Sequence, residues 1–157
     1  DSKFWKDTPK MRDHVKQMKE WRKLNNIPVP CYQIEYAESE DCINWKRNGE
    51  IAIDFRDQYE YALGVPRVFT NLGSKNQLWF SARGSSKNDT YRIYYAESND
   101  LKNWERKDSL SGIDVSNQGW DSEMICYPYL FKHKDNIYML YNGNGYGKSG
   151  FGLAILS

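Results

Sequence analysis

Cysteine is scarce. The 157 residues hold three, Cys31, Cys42 and Cys126, an odd number with neither a CxxC pair nor a Cys/His zinc spacing. That excludes a disulfide framework and fits reduced thiols in a cytoplasmic protein. Histidine is scarcer still: His14 and His133 match no ligand template, so neither a metal nor a cofactor is expected. Charge of one sign is lacking too. Twenty-two Lys and Arg balance twenty-one Asp and Glu, leaving +1, with no electrostatic case for nucleic acid or an anionic membrane surface. No run approaches the ~18 apolar residues of a membrane span. A signal-peptide pattern is absent from a chain that opens at Asp1.

What the chain has instead is aromatic residues, 15% of the total, and an internal repeat. Tyr36-Ala37-Glu38-Ser39-x-Asp41-x-x-Asn44-Trp45-x-Arg47 returns 59 positions later as Tyr95-Ala96-Glu97-Ser98-x-Asp100-x-x-Asn103-Trp104-x-Arg106. Self-similarity of this kind marks a unit that buries its faces only against copies of itself. The similarity extends outward. Val65-Pro66-Arg67-Val68-Phe69 and Gln77 to Gly84 align with Tyr127-Pro128-Tyr129-Leu130-Phe131 and Asn136 to Gly143, and Tyr91 to Glu97 aligns with Gly150 to Leu156. Four short aromatic-rich or alternating segments per unit, punctuated by Gly, Asn, Asp and Ser, read as a four-stranded antiparallel sheet.

Repeated four-stranded sheets suggest propeller blades. At 59 residues per blade the chain holds fewer than three, where propellers typically have roughly four to eight. It also runs out of phase: the last two strands of one blade (33–53), one whole blade (62–106), then three strands of another (124–156). The expected fold is therefore an all-β partial propeller of two to three blades. A missing N-terminal partner region, or self-association, is expected to complete it.

Residues 1–32 stand outside the repeat. Thr8-Pro9 reads as a helix start, Met11, Val15, Met18 and Trp21 recur at helical spacing, and Asn25-Asn26 with Pro28 and Pro30 end the run. The expectation is one amphipathic helix over Pro9–Asn25, inserted against the blades or forming a lid, with the propeller portion spanning 33–157. Its six basic residues against two acidic ones leave a surface-binding role as the alternative.

Tyr36 to Arg47, Tyr91 to Arg106, and above all Gly119 to Pro128 together with Tyr138 to Gly147 resemble the C-terminal half of bacterial glycosidase-like five-bladed β-propellers, relatives of the arabinanase, xylosidase and fructosidase superfamily. The resemblance covers roughly residues 33–157. It implies a carbohydrate partner and an axial cavity, and that the aspartate general base belongs to the half not present here.

Glycoside hydrolysis needs two carboxyl groups flanking the scissile bond. The positions to inspect enter the innermost strand of each blade: Glu60 and Arg67 in one, Asp121, Glu123 and Tyr127 in the next. Glu123, with Asp121 beside it, is the candidate acid, since the resemblance implies a carboxylate just before this strand. Glu60 is a candidate substrate contact or a polar connector residue. Arg67, Arg83 and Arg92 have the donors to hold a sugar carboxylate, phosphate or hydroxyl pair, or to bridge blades through ion pairs. Trp120 lies outside the repeat and is a candidate sugar platform; Asn142 and Asn144 are candidate hydroxyl ligands. Trp45 and Trp104 belong to the repeat and are expected in blade cores. Gly145-x-Gly147-x-x-Gly150 spells a dinucleotide fingerprint without its context, because a strand rather than a helix follows. The expected function is hydrolysis or binding of a glycan; a catalytically silent carbohydrate-binding or scaffold module is the alternative.

Overall fold

A computed structural model describes residues 20–24, 27–70, 73–85 and 89–156. The protein is all-β. Among the described residues, eleven strands form antiparallel sheets, with a 3-10 turn at Asp108–Leu110 and a short helical turn at Asn144–Gly147 besides. Strand β1 (Glu20–Leu24) pairs with β2 (Ile27–Cys31), and β3 (Ile34–Glu35) with β4 (Ile51–Ile53). A four-stranded meander follows: β5 (Ala62–Phe69), β6 (Asn76–Arg83), β7 (Tyr91–Ser98) and β8 (Glu105–Arg106). A three-stranded meander completes the fold: β9 (Cys126–His133), β10 (Asn136–Asn142) and β11 (Phe151–Leu156).

The helix expected over Pro9–Asn25 falls mostly on residues 1–19, outside the described residues. Its last turn does not form: 20–24 are strand, with Trp21 opposite Pro30 and Lys23 opposite Pro28. Residues two apart direct their N–H groups to the same edge of a strand, so Pro28 and Pro30 remove donors from one edge only. An Asn-Asn pair between apolar segments signals a hairpin as readily as a helix stop.

The repeat is visible in hydrogen bonds between sheets. Leu63 N donates to Tyr32 O at 2.9 Å, and Ile125 N donates to Tyr91 O at 3.3 Å. A third link runs from Tyr127 N to the buried Ser81 Oγ at 2.8 Å. Packing between the sheets is aromatic and aliphatic. Ile34, Ile53, Leu63, Leu78, Phe80, Ala82 and Ala96 form one layer, and Trp79, Ile93, Tyr95, Ile125 and Met139 another. Phe80 and Trp79 point to different layers because successive side chains of a strand alternate, so β6 is buried on both faces.

The duplicated sequence is a repeated turn. Asp41 Oδ1 accepts from Ile43 N and Asn44 N, and Asn44 Nδ2 donates to its other oxygen at 2.7 Å. Asp100 does the same with Lys102 N, Asn103 N and Asn103 Nδ2. Each aspartate holds the amides of its turn, the local bonding for which Asx residues are favoured. Trp45 Nε1 and Trp104 Nε1 then donate to Cys42 O and Leu101 O, residues at φ 59° and 65°. The two tryptophans part company beyond that. Trp104 packs on the first core layer, whereas Trp45 is half exposed, since no described sheet lies against it.

Pairing also revises the alignment of the repeat. In both meanders the first strand carries one extra residue: Gly64 and Arg67 face Ser81 and Trp79, while Cys126 and Tyr129 face Asn142 and Leu140. The bulged residues Val65 and Tyr127 are left-handed, at φ 52° and 59°, and each precedes proline. Asn142 therefore corresponds to Ser81, and Arg83 to Asn144, a two-residue slip from the sequence alignment. Matching Gly84 to Gly143 causes the slip, because glycine marks turns at different registers.

Candidate functional site

The segment 119–125 enters β9 and is tied down through its backbone. Asn144 Oδ1 accepts from Glu123 N at 2.8 Å and Met124 N at 3.0 Å, while Asn144 Nδ2 donates to Gly119 O. The Glu123 carbonyl receives Thr90 Oγ1 at 2.7 Å and Arg92 Nη1 at 2.9 Å. Glu123 is thus fixed at its peptide groups while its side chain is exposed. Asp121, two residues earlier, is buried and accepts a 3.0 Å hydrogen bond from Tyr141 Oη. Burial, followed by that bond, pushes the Tyr141 hydroxyl up to about 12.

Trp120 stacks on Tyr141, ring centroids 5.6 Å apart, and is 36% exposed. Glycine makes its seat. A Cβ at Gly143 would lie 2.4 Å from Trp120 Cε3, and one at Gly152 would lie 2.5 Å from Cη2. Only a residue without a side chain lets the indole approach both backbones. The Trp120 carbonyl accepts from Asn144 N and Ser149 Oγ, fixing the backbone that carries the ring.

Next to this segment five tyrosines and an arginine gather. Tyr91 packs on Tyr127 at 6.3 Å and Tyr146 at 5.9 Å, Tyr127 and Tyr146 lie 6.2 Å apart, and the hydroxyls of Tyr91 and Tyr32 hydrogen-bond. Arg83 lies over the Tyr61 and Tyr91 rings. It donates to Tyr146 Oη at 3.0 Å, to Asp89 O at 2.9 Å and to Asp89 Oδ2 at 3.2 Å. Burial, then the bond to Tyr32, raises the Tyr91 hydroxyl above its ordinary range. Tyr146 holds a left-handed conformation at φ 62°. Asn142 Nδ2 supports its turn by donating to Tyr146 O at 3.1 Å.

The sequence-derived candidates fall into two groups. Glu123, Trp120 and Tyr127 present exposed side chains in this region, and Arg67 is exposed on β5 with its guanidinium 5.5 Å from the Tyr129 ring. The others are engaged within the protein. Glu60 is wholly buried: its oxygens accept Arg106 Nη1 at 2.6 Å, Arg106 Nη2 at 3.1 Å and Arg56 N at 2.7 Å. Arg92 is held by Thr90, the Tyr91 and Glu123 carbonyls, and Asp114 at 3.1 Å. Arg83, Asn142, Asn144 and Asp121 are engaged as described above.

Sequence reasoning missed Tyr32, Tyr61, Tyr91 and Tyr146. A signal for two of them existed, since Tyr32 and Tyr91 stand four residues before the duplicated motif in both copies. Among the described residues no group of three or more His, Cys, Asp and Glu is placed to hold a metal, and no helix is long and apolar enough to cross a membrane.

Comparison with known proteins adds relatives and fold. No family model matches the chain. Two proteins from Mycobacterium tuberculosis are similar to it, the uncharacterized protein Rv1502 of strain ATCC 25618 / H37Rv and the uncharacterized protein MT1551 of strain CDC 1551 / Oshkosh. Each is 42% identical over 123 residues, 78% of this chain and 40% of the relative. The chain thus spans well under half the length of these relatives. Among solved structures, one named "Glycoside hydrolase" superposes with a TM-score of 0.63 at 19% identity. Another, from a complex named for BT0996 and RGII, gives 0.61 at 18%. Each likeness covers 86% of this chain and 38% of the other, and is a likeness of fold.

Proposed function

We propose that the chain is part of a glycosidase-like, carbohydrate-active β-propeller, in which successive sheets are blades and a glycan is taken into the axial cavity lined by β5 and β9. The observation that carries this reading is that Trp120, Glu123 and Tyr127 are exposed along one short segment, which Asn144 ties to the turn bearing the exposed Tyr146. Flat rings seat the apolar face of a sugar, and their positions are fixed by glycine contacts, stacking and hydrogen bonds rather than by the ligand. The fold shared with a glycoside hydrolase supports the same reading.

In this function Glu123 serves as the general acid, protonating the leaving-group oxygen, and Trp120 and Tyr127 hold the sugar. Asp121 acts from beneath, positioning Tyr141 and through it the Trp120 platform. Hydrolysis needs a second carboxylate across the bond. Of the three carboxyl candidates, Asp121 and Glu60 are buried and engaged, so the second group comes from the polypeptide that completes the propeller. That same observation favours the alternative, a carbohydrate-binding or scaffold module without turnover.

The completed assembly should be screened against aryl glycosides and oligosaccharides. Glu123→Gln is expected to depress turnover at least ~100-fold with an unchanged circular dichroism spectrum. Sugar binding without turnover in any screen would establish the binding-module reading, and neither binding nor turnover would refute both.

A further inference from the structure

Arginines among the described side chains differ in whether an acid neutralises them. Arg56 has Asp57 at 3.3 Å and Asp108 at 3.4 Å, Arg83 has Asp89 at 3.2 Å, and Arg92 has Asp114 at 3.1 Å. Arg106 has Glu60 at 2.6 Å and Asp108 at 2.7 Å. Arg67 has no carboxylate partner among the described residues, and its contact is with the π-face of Tyr129. Tyr129 is itself 52% exposed and occupies the same place in β9 that Arg67 occupies in β5. The repeat tolerates tyrosine at this position, so neither the pairing of the strand nor the bulge before it demands a cation.

A guanidinium with no carboxylate to neutralise it has donors to spare in the planar fork that fits a carboxylate with two parallel hydrogen bonds. Beside it, Tyr129 offers an exposed ring for the apolar face of a sugar. We infer that Arg67 and Tyr129 together recognise a sugar bearing a carboxylate, a uronic acid residue, and that Arg67 gives the site its preference for acidic over neutral glycans. The inference rests on the glycan reading above and sharpens it to one substrate class. It also separates Arg67 from Arg83 and Arg92, whose guanidinium groups are engaged within the protein.

Calorimetric or NMR titration of the completed assembly with short oligogalacturonates, and with the same oligosaccharides reduced at their carboxyl groups, tests the inference. The acidic series is expected to bind at least ~10-fold tighter, with an advantage that shrinks as salt is raised. Arg67→Gln should bring the acidic series down to the affinity of the neutral one and leave the neutral one unchanged. Arg67→Lys, which keeps the charge and loses the fork, should fall between. Tyr129→Leu should weaken both series alike, and provides a second reading should Arg67→Gln disturb the fold. Equal affinity for the two series, or a preference that survives Arg67→Gln, would overturn the inference and leave the glycan reading standing. Binding of neither series would overturn both.

Discussion

Glu97 shows how one side chain ties strands together and what acid does to it. Its carboxylate accepts Lys107 Nζ at 2.8 Å, Lys75 Nζ at 3.3 Å and Tyr95 Oη at 3.1 Å. Led by the Lys107 bond, these partners hold its carboxyl down at about 2, against an ordinary 4.5. A carboxyl depressed in the folded state contributes stability that is present above 4.5 and is lost as pH falls toward 2. Lys107→Gln should therefore move the Glu97 titration, followed by carbon-detected NMR, upward toward 4.5, and should reduce the acid-induced loss of stability in that window. Trp120 offers a steric test. Gly152→Val would drive side-chain atoms into the indole and the Tyr141 ring, so an overpacking cost of about 1–3 kcal/mol is expected in urea unfolding. The Trp120 contribution to fluorescence should change with it. Glu60 marks the limit of sequence reading at this scale: an acid in a polar segment reads the same whether it faces a ligand or sits beneath Arg106.

At the scale of the strand, β6 is the element on which two core layers depend. Phe80 on one face is fully buried, and Phe80→Ala should cost about 3–5 kcal/mol, measurable as a lowered urea midpoint with the fold retained. The strands themselves were legible in the sequence because each carries alternating or aromatic-rich residues between turn formers. The duplicated turn was legible because its aspartate, asparagine and tryptophan bond to backbone within a few residues of themselves. The bulge was not legible. An extra residue in β5 or β9 has no composition of its own, and only the pairing of Gly64 with Ser81 and Arg67 with Trp79 exposes it. The strand at 20–24 was hidden for a related reason: Trp21 fits the apolar spacing of a helix, and the proline-bearing partner that fixes it as strand lies beyond the turn. The tyrosine cluster was missed because its members come from β2–β3, β7, β9 and the turn after β10, and no local spacing joins them.

Taken as a whole, the molecule presents apolar surface at both ends of its series of sheets. On β11, Phe151, Leu153 and Ile155 are more than half exposed; toward the β3–β4 sheet Ile43 is more than half exposed and Trp45 and Ile51 are half exposed. Burial of such surface favours association, so the chain is expected to self-associate or to bind another polypeptide through these surfaces. Sedimentation or scattering that shows a compact monomer at high concentration would count against this. The links between sheets carry a further consequence. Because Leu63 holds Tyr32 and Ile125 holds Tyr91, each sheet lends order only to its immediate neighbours, as in a chain of coupled units. Opening should then begin at the flanks and travel inward. In native-state hydrogen exchange the amides of β6 and β7 would be the last to trade their protons, those of β4 and β11 the first, and the Ile125 amide would report when the β9–β11 sheet lets go of the β5–β8 sheet.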